Sequence, residues 1–330
     1  MAWQLANEHV LVDGHEVRFT SPGKVMYPET GTTKREVLDY YLRIAPLLVP
    51  QAAWRPATRK RWVGGVGTAD KPGQVFFRKD LEKGAPLWLP TAQMAHRKST
   101  NTYPLVNDAA VLAWFAQMAA LEIHVPQWRF DTAGEPCNPD RMVIDLDPGP
   151  GVDLQGCAEV ALWVKGLFDA LGMTTYPVTS GSKGIHLYIP LNGKVSSEEA
   201  SGLARRMALD LQERYPTRVI AVQKRVEREG KVLLDWSQNS PAKTTICPYS
   251  LRGRQRPMVA APRTWAEIED PALTQLEYQE VLARAAQGSD PLQTLGWYSK
   301  SAPTAPTLPA ATRQRIAADT IPSPGVGGQS

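Results

Sequence analysis

Met142-Val-Ile-Asp-Leu-Asp-Pro-Gly-Pro-Gly151 alternates apolar and acidic residues with the two-residue period of a β-strand, and a Pro-Gly turn then closes it. Alternate side chains share a face, so Asp145 and Asp147 aim their carboxylates the same way while Ile144 and Leu146 point to the other side. Two close carboxylates repel unless a cation or a shared proton lies between them. An all-oxygen ligand set favours Mg²⁺ or Mn²⁺ over zinc. The pair reads as half of a two-metal site; the alternative at this point is a strand end whose acids cap the turn or face water.

Two further segments narrow the choice. In Val178-Thr-Ser-Gly-Ser-Lys-Gly-Ile-His-Leu-Tyr-Ile-Pro190, a glycine-punctuated turn carries Ser180, Lys183 and His186 into an apolar strand. Such a turn offers backbone N–H groups, a hydroxyl, an ammonium and an imidazole to an anion, without the spacing of a Walker P-loop. Gly230-Lys-Val-Leu-Leu-Asp-Trp236 reads as a short apolar strand ending in Asp235, whose burial is costly unless it meets a cation. Three carboxylates beside a phosphate-gripping turn describe nucleotidyl transfer. One metal lowers the pKa of an attacking 3′-hydroxyl, and a second holds the triphosphate and the leaving pyrophosphate. In-line displacement at phosphorus needs positioning and charge neutralisation more than covalent chemistry, which agrees with the lack of an evident nucleophile.

The order Asp145–Asp147 (DLD), Ser180–His186 (SGSKGIH), Leu233–Trp236 (LLDW), Ser237–Ser240 (SQNS) and Pro248–Arg254 (PYSLRGR) resembles the archaeo-eukaryotic primase superfamily. Within it, the chain is similar to the polymerase domain of bacterial DNA ligase D and its stand-alone primase-polymerase relatives. The resemblance runs from about Val17 to about Leu282 and takes in Gly23–Lys34, Arg55–Trp62, Val75–Asp80, Leu121–Phe130 and Ala261–Ile268. Ordered motifs over that length are far more specific than a single Asp-x-Asp.

The resemblance implies roles for particular residues. Asp145, Asp147 and Asp235 bind two Mn²⁺ or Mg²⁺ ions. Ser180, Lys183, His186, Arg228 and Arg252 hold the triphosphate of an incoming nucleoside triphosphate, with Lys60, His124 and Gln238 beside it. Arg61, Phe76, Phe77 and Lys79 face template DNA, with Phe77 expected to stack on a base. Lys24 and Lys34 are expected to bind the 5′-phosphate across a gap, helped by the free N–H groups of a helix start at Lys34. The family further implies short gap filling in break end joining or excision repair, a preference for ribonucleotides, and an ATP-dependent DNA ligase and Ku as partners. De novo priming is the related enzymatic alternative. A non-catalytic module that binds DNA ends and recruits a ligase is the alternative from another class, and the full carboxylate set argues against it.

Composition bounds the same answer from outside. A chain of 330 residues that is 43% hydrophobic can bury a large core in one domain or two intimate halves. Cys137, Cys157 and Cys247 are scattered, with no CxxC, which excludes a recognisable structural zinc site and points to a reducing cytoplasm. No run approaches membrane-spanning length, and the start lacks a secretion signal. Net charge is only +4, but basic residues cluster at Arg55–Arg61, Lys224–Arg228 and Arg252–Arg254, each beside an aromatic residue, and read as phosphate contacts.

The expected fold is α+β: a primase-like core in which an N-terminal αβ module packs on a sheet resembling an RNA-recognition motif, with the site in the cleft between them. Residues 1–300 are expected to form this monomeric catalytic domain. Thr33-Lys-Arg-Glu36 has the form of a capping box for a helix over Val37–Leu48, and the apolar face of Asn107–Ile123 predicts a second helix ending just before His124. Strands at Val17–Phe19, Met142–Leu146, Thr175–Val178, His186–Ile189 and Lys231–Leu234 and helices at Cys157–Leu171 and Ser197–Tyr215 complete the pattern. The loop Val63–Gln74 is longer and richer in glycine than the family resemblance implies, where template would pass. From residue 301 the Pro/Ala/Gly-rich composition predicts a linker-like tail to 330, and the start at Met1 points to a stand-alone member.

Overall fold

The computed structural model describes residues 9–96 and 99–293; the tail expected over 301–330 lies outside the described residues. The chain is mixed α and β, and its central feature is a six-stranded sheet. Its order runs Val219–Ile220, Val232–Asp235, Arg141–Pro148, Ile185–Pro190, Tyr176–Thr179, Ala261–Pro262, and every pairing is antiparallel except the first.

The alternation in the central strand, Arg141–Pro148, divides its side chains between two cores. Met142, Ile144 and Leu146 join Ile185, Leu187 and Ile189 beneath the helices Leu154–Ala170 and Ser197–Arg214. Val143, on the opposite face, belongs to a second cluster shared with the N-terminal half. Both covering helices are capped as their sequences dictate. Asp153 accepts the N–H of Gly156, and Ser196 with Glu199 forms a reciprocal capping box.

The N-terminal half is built on a four-stranded sheet in the order Thr245–Ile246, Ala120–Val125, Thr58–Arg61, Phe76–Arg78. The helix Lys34–Ala52 packs here, started by the expected box of Thr33 and Glu36. Its Tyr40 and Tyr41 hydroxyls reach the carbonyls of Tyr249 (2.6 Å) and Leu121 (2.7 Å), which ties segments distant in sequence to one face.

The predicted helix over Asn107–Ile123 is shorter. It spans Ala109–Gln117, Ala119 turns left-handed at φ 55°, and Ala120–Val125 continues as a strand. All six strand residues are buried, although Leu121, Ile123 and Val125 alternate with the polar Glu122 and His124 in the two-residue period of a strand. His124 therefore sits on a strand, not at a helix end, opposite Thr58 on one side and Ile246 on the other.

Candidate active site

The strand register assembles the carboxylates. Asp145 lies directly opposite Asp235 in an antiparallel pair and opposite His186 on the other side. Directly opposed residues share a face, as do residues two apart, so the three acids and His186 belong to one surface. Each acid has a distinct environment. Asp145 is buried, with His186 Nε2 3.2 Å from its Oδ1. Asp235 is buried and caps a short 3₁₀ turn: its Oδ1 accepts the N–H and hydroxyl of Ser237, and its Oδ2 accepts Gln238 Nε2 at 2.9 Å. Asp147 opens onto the cleft. Its carboxyl is pushed up to about 6, first by desolvation and then by the charges of Asp145 and Asp235, with His186 and Arg228 pulling the other way.

That repulsion, in an all-oxygen set, is what a hard divalent cation relieves, so the donor chemistry fits such an ion. The side chains do not close around one as they stand. Among the described residues no three of His, Cys, Asp and Glu are gathered as ligands, because Asp145 is turned to His186 and Asp235 to Ser237 and Gln238.

The cleft of about 340 Å³ in front of the acids is lined by Ser180, Lys183, His186, Arg228, Gln238 and Arg252 among others, so the nucleotide-binding residues expected there converge. The turn after Thr179 differs from the expected row of free N–H groups. Ser180 Oγ accepts the N–H of Ser182 (3.3 Å) and of Gly184 (3.2 Å), and Gln275 accepts the N–H of Gly181 at 2.7 Å. With both acceptances made by its oxygen, the Ser180 hydroxyl proton is left to donate, and Lys183 stands exposed beside it. Gly184 is required by close approach, because a Cβ there would meet the Leu146 carbonyl oxygen at 2.0 Å.

The opposite wall holds a group the sequence reading missed. Glu122, on the strand Ala120–Val125, is 3% exposed and meets Lys60 Nζ at 3.0 Å, His124 Nε2 at 2.8 Å and Arg252 Nε at 3.5 Å. Its Oε1 also accepts the Gly253 N–H at 3.1 Å. Burial alone would raise its carboxyl, but His124, Arg252 and Lys60 hold it well below the usual carboxylate range. Burial presses the His124 imidazole down to about 4 against the pull of Glu122, so the ring is neutral at pH 7 and its Nε2–H donates. Gly253 lies flat on the Trp62 indole, where a Cβ would come within 2.2 Å of the ring. The signal was present: an acid inside an apolar run must find partners.

Other expected residues lie elsewhere. The basic cluster at Arg55–Arg61 is largely internal. Arg55 and Arg59 are fully buried; Arg55 Nη2 donates to both Asp140 oxygens, at 2.6 and 2.8 Å, and Arg59 donates to Glu82 at 2.9 Å. Arg61 is mostly buried and also pairs with Glu82, at 3.0 Å. Of the adjacent aromatics, Phe77 is 53% exposed and Phe76 only partly, so Phe77 is the ring available for stacking; Lys79 is partly exposed. Lys24 is exposed and donates to the Val63 carbonyl. Lys34 is 5% exposed, its Nζ donating to the Thr20 carbonyl (2.8 Å) and Gln117 Oε1 (2.7 Å), and burial, then the charge of Lys24, lowers its ammonium to about 8. The helix-start amides expected to be free for an anion are taken: the Lys34 N–H goes to the Lys24 carbonyl, that of Arg35 to Pro22 and that of Glu36 to Thr33 Oγ1.

Comparison with known proteins finds relatives over most of the chain. The profile described as LigD, primase-polymerase domain matches residues 33–292. The chain is 51% identical over 309 residues to the multifunctional non-homologous end joining DNA repair protein LigD of Mycobacterium tuberculosis, which covers 92% of this chain and 40% of that protein. It is 31% identical over 255 residues to the bifunctional non-homologous end joining protein LigD of Bacillus subtilis, covering 77% of this chain and 40% of the relative. The chain thus spans about 40% of the length of these curated relatives. Among solved structures, the polymerase domain from Mycobacterium tuberculosis ligase D in complex with DNA superposes with a TM-score of 0.80 at 53% identity, over 84% of this chain and 97% of that one.

Proposed function

This chain belongs to the LigD primase-polymerase family, and we propose on that premise that it is a template-directed nucleotidyltransferase that extends a primer 3′-hydroxyl across short gaps in DNA repair. The observation that carries the reading is the register that sets Asp145 opposite Asp235, with Asp147 on the same face, before a cleft lined by Lys183, Arg228 and Arg252. Asp145, Asp147 and Asp235 hold the divalent cations, Mn²⁺ or Mg²⁺, which when bound supply charge neutralisation at the attacking and leaving oxygens. The chain's own residues supply the rest. Lys183, Arg228 and Arg252 neutralise the triphosphate, and the Ser180 hydroxyl donates to a phosphate oxygen. His186 orients Asp145 through its Nε2, and Gln238 orients Asp235. Primer extension on gapped DNA, run with each nucleotide type and each metal, tests the reading; template-independent or absent synthesis would remove it.

We extend the reading to ribonucleotide preference, for which the support is family membership. Single-turnover insertion of UTP should outpace dTTP opposite the same template base, and equal or faster dTTP insertion counts against it. An ATP-dependent ligase and Ku are proposed partners on the same ground, in end joining or excision repair.

Lys24 is the proposed ligand of the 5′-phosphate across the gap, with Lys34 acting beside it. The expected effects of the two lysines differ because their surroundings differ. Lys24→Ala should weaken binding to a 5′-phosphorylated gap by roughly tenfold, weaken a 5′-hydroxyl gap much less, and lose that contrast as salt rises. Lys34→Ala should in addition lower the melting temperature, since it removes a donor from the part-buried Thr20 carbonyl and leaves Gln117 Oε1 with only the Thr20 N–H. Equal losses on the two gap substrates would reduce both lysines to general electrostatic attraction.

A further inference from the structure

The polar side chains on the strand side of the cleft do not stand independently. Lys60, His124 and Arg252 come from three separate segments, and each reaches the same buried carboxylate, Glu122, within 3.0, 2.8 and 3.5 Å respectively. The backbone between Arg252 and Arg254 is fixed there too, through the Gly253 N–H to Glu122 Oε1 and the indole of Trp62 beneath Gly253. His124, Arg252 and Arg254 all line the cleft that holds Asp145 and Asp147. Two cations so close would repel and turn away from each other without an anion between them, and long side chains lose rotamer freedom when a polyanion orders them.

We propose that Glu122 is the positioning residue of the triphosphate grip: a buried anion that holds Lys60, His124 and the Arg252–Arg254 segment in their binding arrangement before the nucleotide arrives. It touches neither nucleotide nor metal. Its effect is preorganisation, so that the ordering cost of the cationic wall is met in folding instead of in binding. Two physical contrasts set it apart from an ordinary buried salt bridge. Its partners His124 and Arg252 line the cleft, and it ties the Arg252 side chain and the Gly253 N–H of one segment together. The inference rests on the polymerase reading above.

The test uses the whole chain on gapped primer–template. Wild-type extension is measured first, because its absence would remove the polymerase reading itself and Glu122's role with it. With wild-type extension in hand, E122Q keeps an acceptor for Gly253 but removes the charge. It should raise KM for the nucleoside triphosphate roughly 10- to 100-fold, the scale of a lost charge-assisted hydrogen bond, with a smaller fall in kcat. The inhibition constant of inorganic tripolyphosphate should weaken by a similar factor, while affinity for gapped DNA stays near that of the wild type. E122D, which restores the charge one methylene short, should recover part of both losses. A purely structural carboxylate would lower the melting temperature and the active fraction and leave KM and tripolyphosphate inhibition unchanged in the folded protein; that result overturns the proposal. If E122Q does not fold, E122D decides alone: a raised KM with weakened tripolyphosphate inhibition supports the role, and wild-type values for both overturn it.

Discussion

Asp147→Ala and Asp235→Asn should each extend a primer more slowly by on the order of 10³-fold or more, while binding gapped DNA as tightly as the parent. The expectation follows from where the acids sit. Asp147 opens onto the cleft and has no side-chain hydrogen bond or ion pair among the described residues, and its carboxyl is already pushed up to about 6 by desolvation and by Asp145 and Asp235. Its loss removes a proposed metal ligand and little of the fold. Asp235 is different, because it also caps the turn at Ser237. Alanine there would add about 0.5–2 kcal/mol of lost capping to the chemical defect, whereas asparagine keeps an acceptor and isolates the charge. Single-turnover extension beside a DNA-binding titration makes the check, and near-normal extension by either variant would end the reading of these acids as metal ligands.

Asp140→Ala should destabilise the protein by about 3–5 kcal/mol, which unfolding by denaturant would measure. Arg55 and Arg129 both bond this one carboxylate, and Arg141 adds a third positive charge nearby. Burial works against the Arg55 cation, so the net worth of the intact cluster is small, but removing Asp140 leaves the fully buried Arg55 guanidinium without the carboxylate it bonds. Burial by itself would raise the Asp140 carboxyl; Arg55, Arg129 and Arg141 instead hold it at about 2, below its ordinary 3.8. A depressed carboxylate pKa contributes stability that is fully present above about pH 4 and disappears as pH falls toward 2. The wild type should therefore lose stability through that window more steeply than the alanine variant. A pH profile parallel to that of the variant would contradict the assignment.

Arg55 also shows where the sequence stops being legible. Arg55–Arg61 has the composition of a phosphate-binding patch, yet the acids that neutralise it are Asp140 and Glu82, which lie 85 and 23 positions from Arg55 and Arg59 along the chain. Nothing local distinguishes an arginine that meets a phosphate from one that meets a distant carboxylate. The strand at Ala120–Val125 is hidden for a different reason: its Leu-Glu-Ile-His-Val alternation is only five residues long, and Ile123 also fits the 3.6-residue spacing of the preceding helix. By contrast, Met142–Leu146 and the capping box at Thr33 were readable, because each is a local pattern whose physics is complete within a few residues. The convergence of Ser180, Lys183, His186, Arg228 and Arg252 on one cleft followed from family motifs and is the arrangement the structure has. The amides of the phosphate turn and of the helix start at Lys34 were counted as free; both are consumed by nearby oxygens, which residue types alone do not reveal.

The central strand contributes Val143 to one hydrophobic cluster and Met142, Ile144 and Leu146 to the other. This shared ownership has a kinetic and thermodynamic meaning for the acids it carries. Proteins open in cooperative units, and segments with few buried contacts open most cheaply. A strand that both cores need cannot detach without exposing apolar surface on its two sides at once, so the motion that would disperse Asp145 from Asp235 approaches unfolding of the whole molecule. The acidic centre is thus placed where opening is most costly.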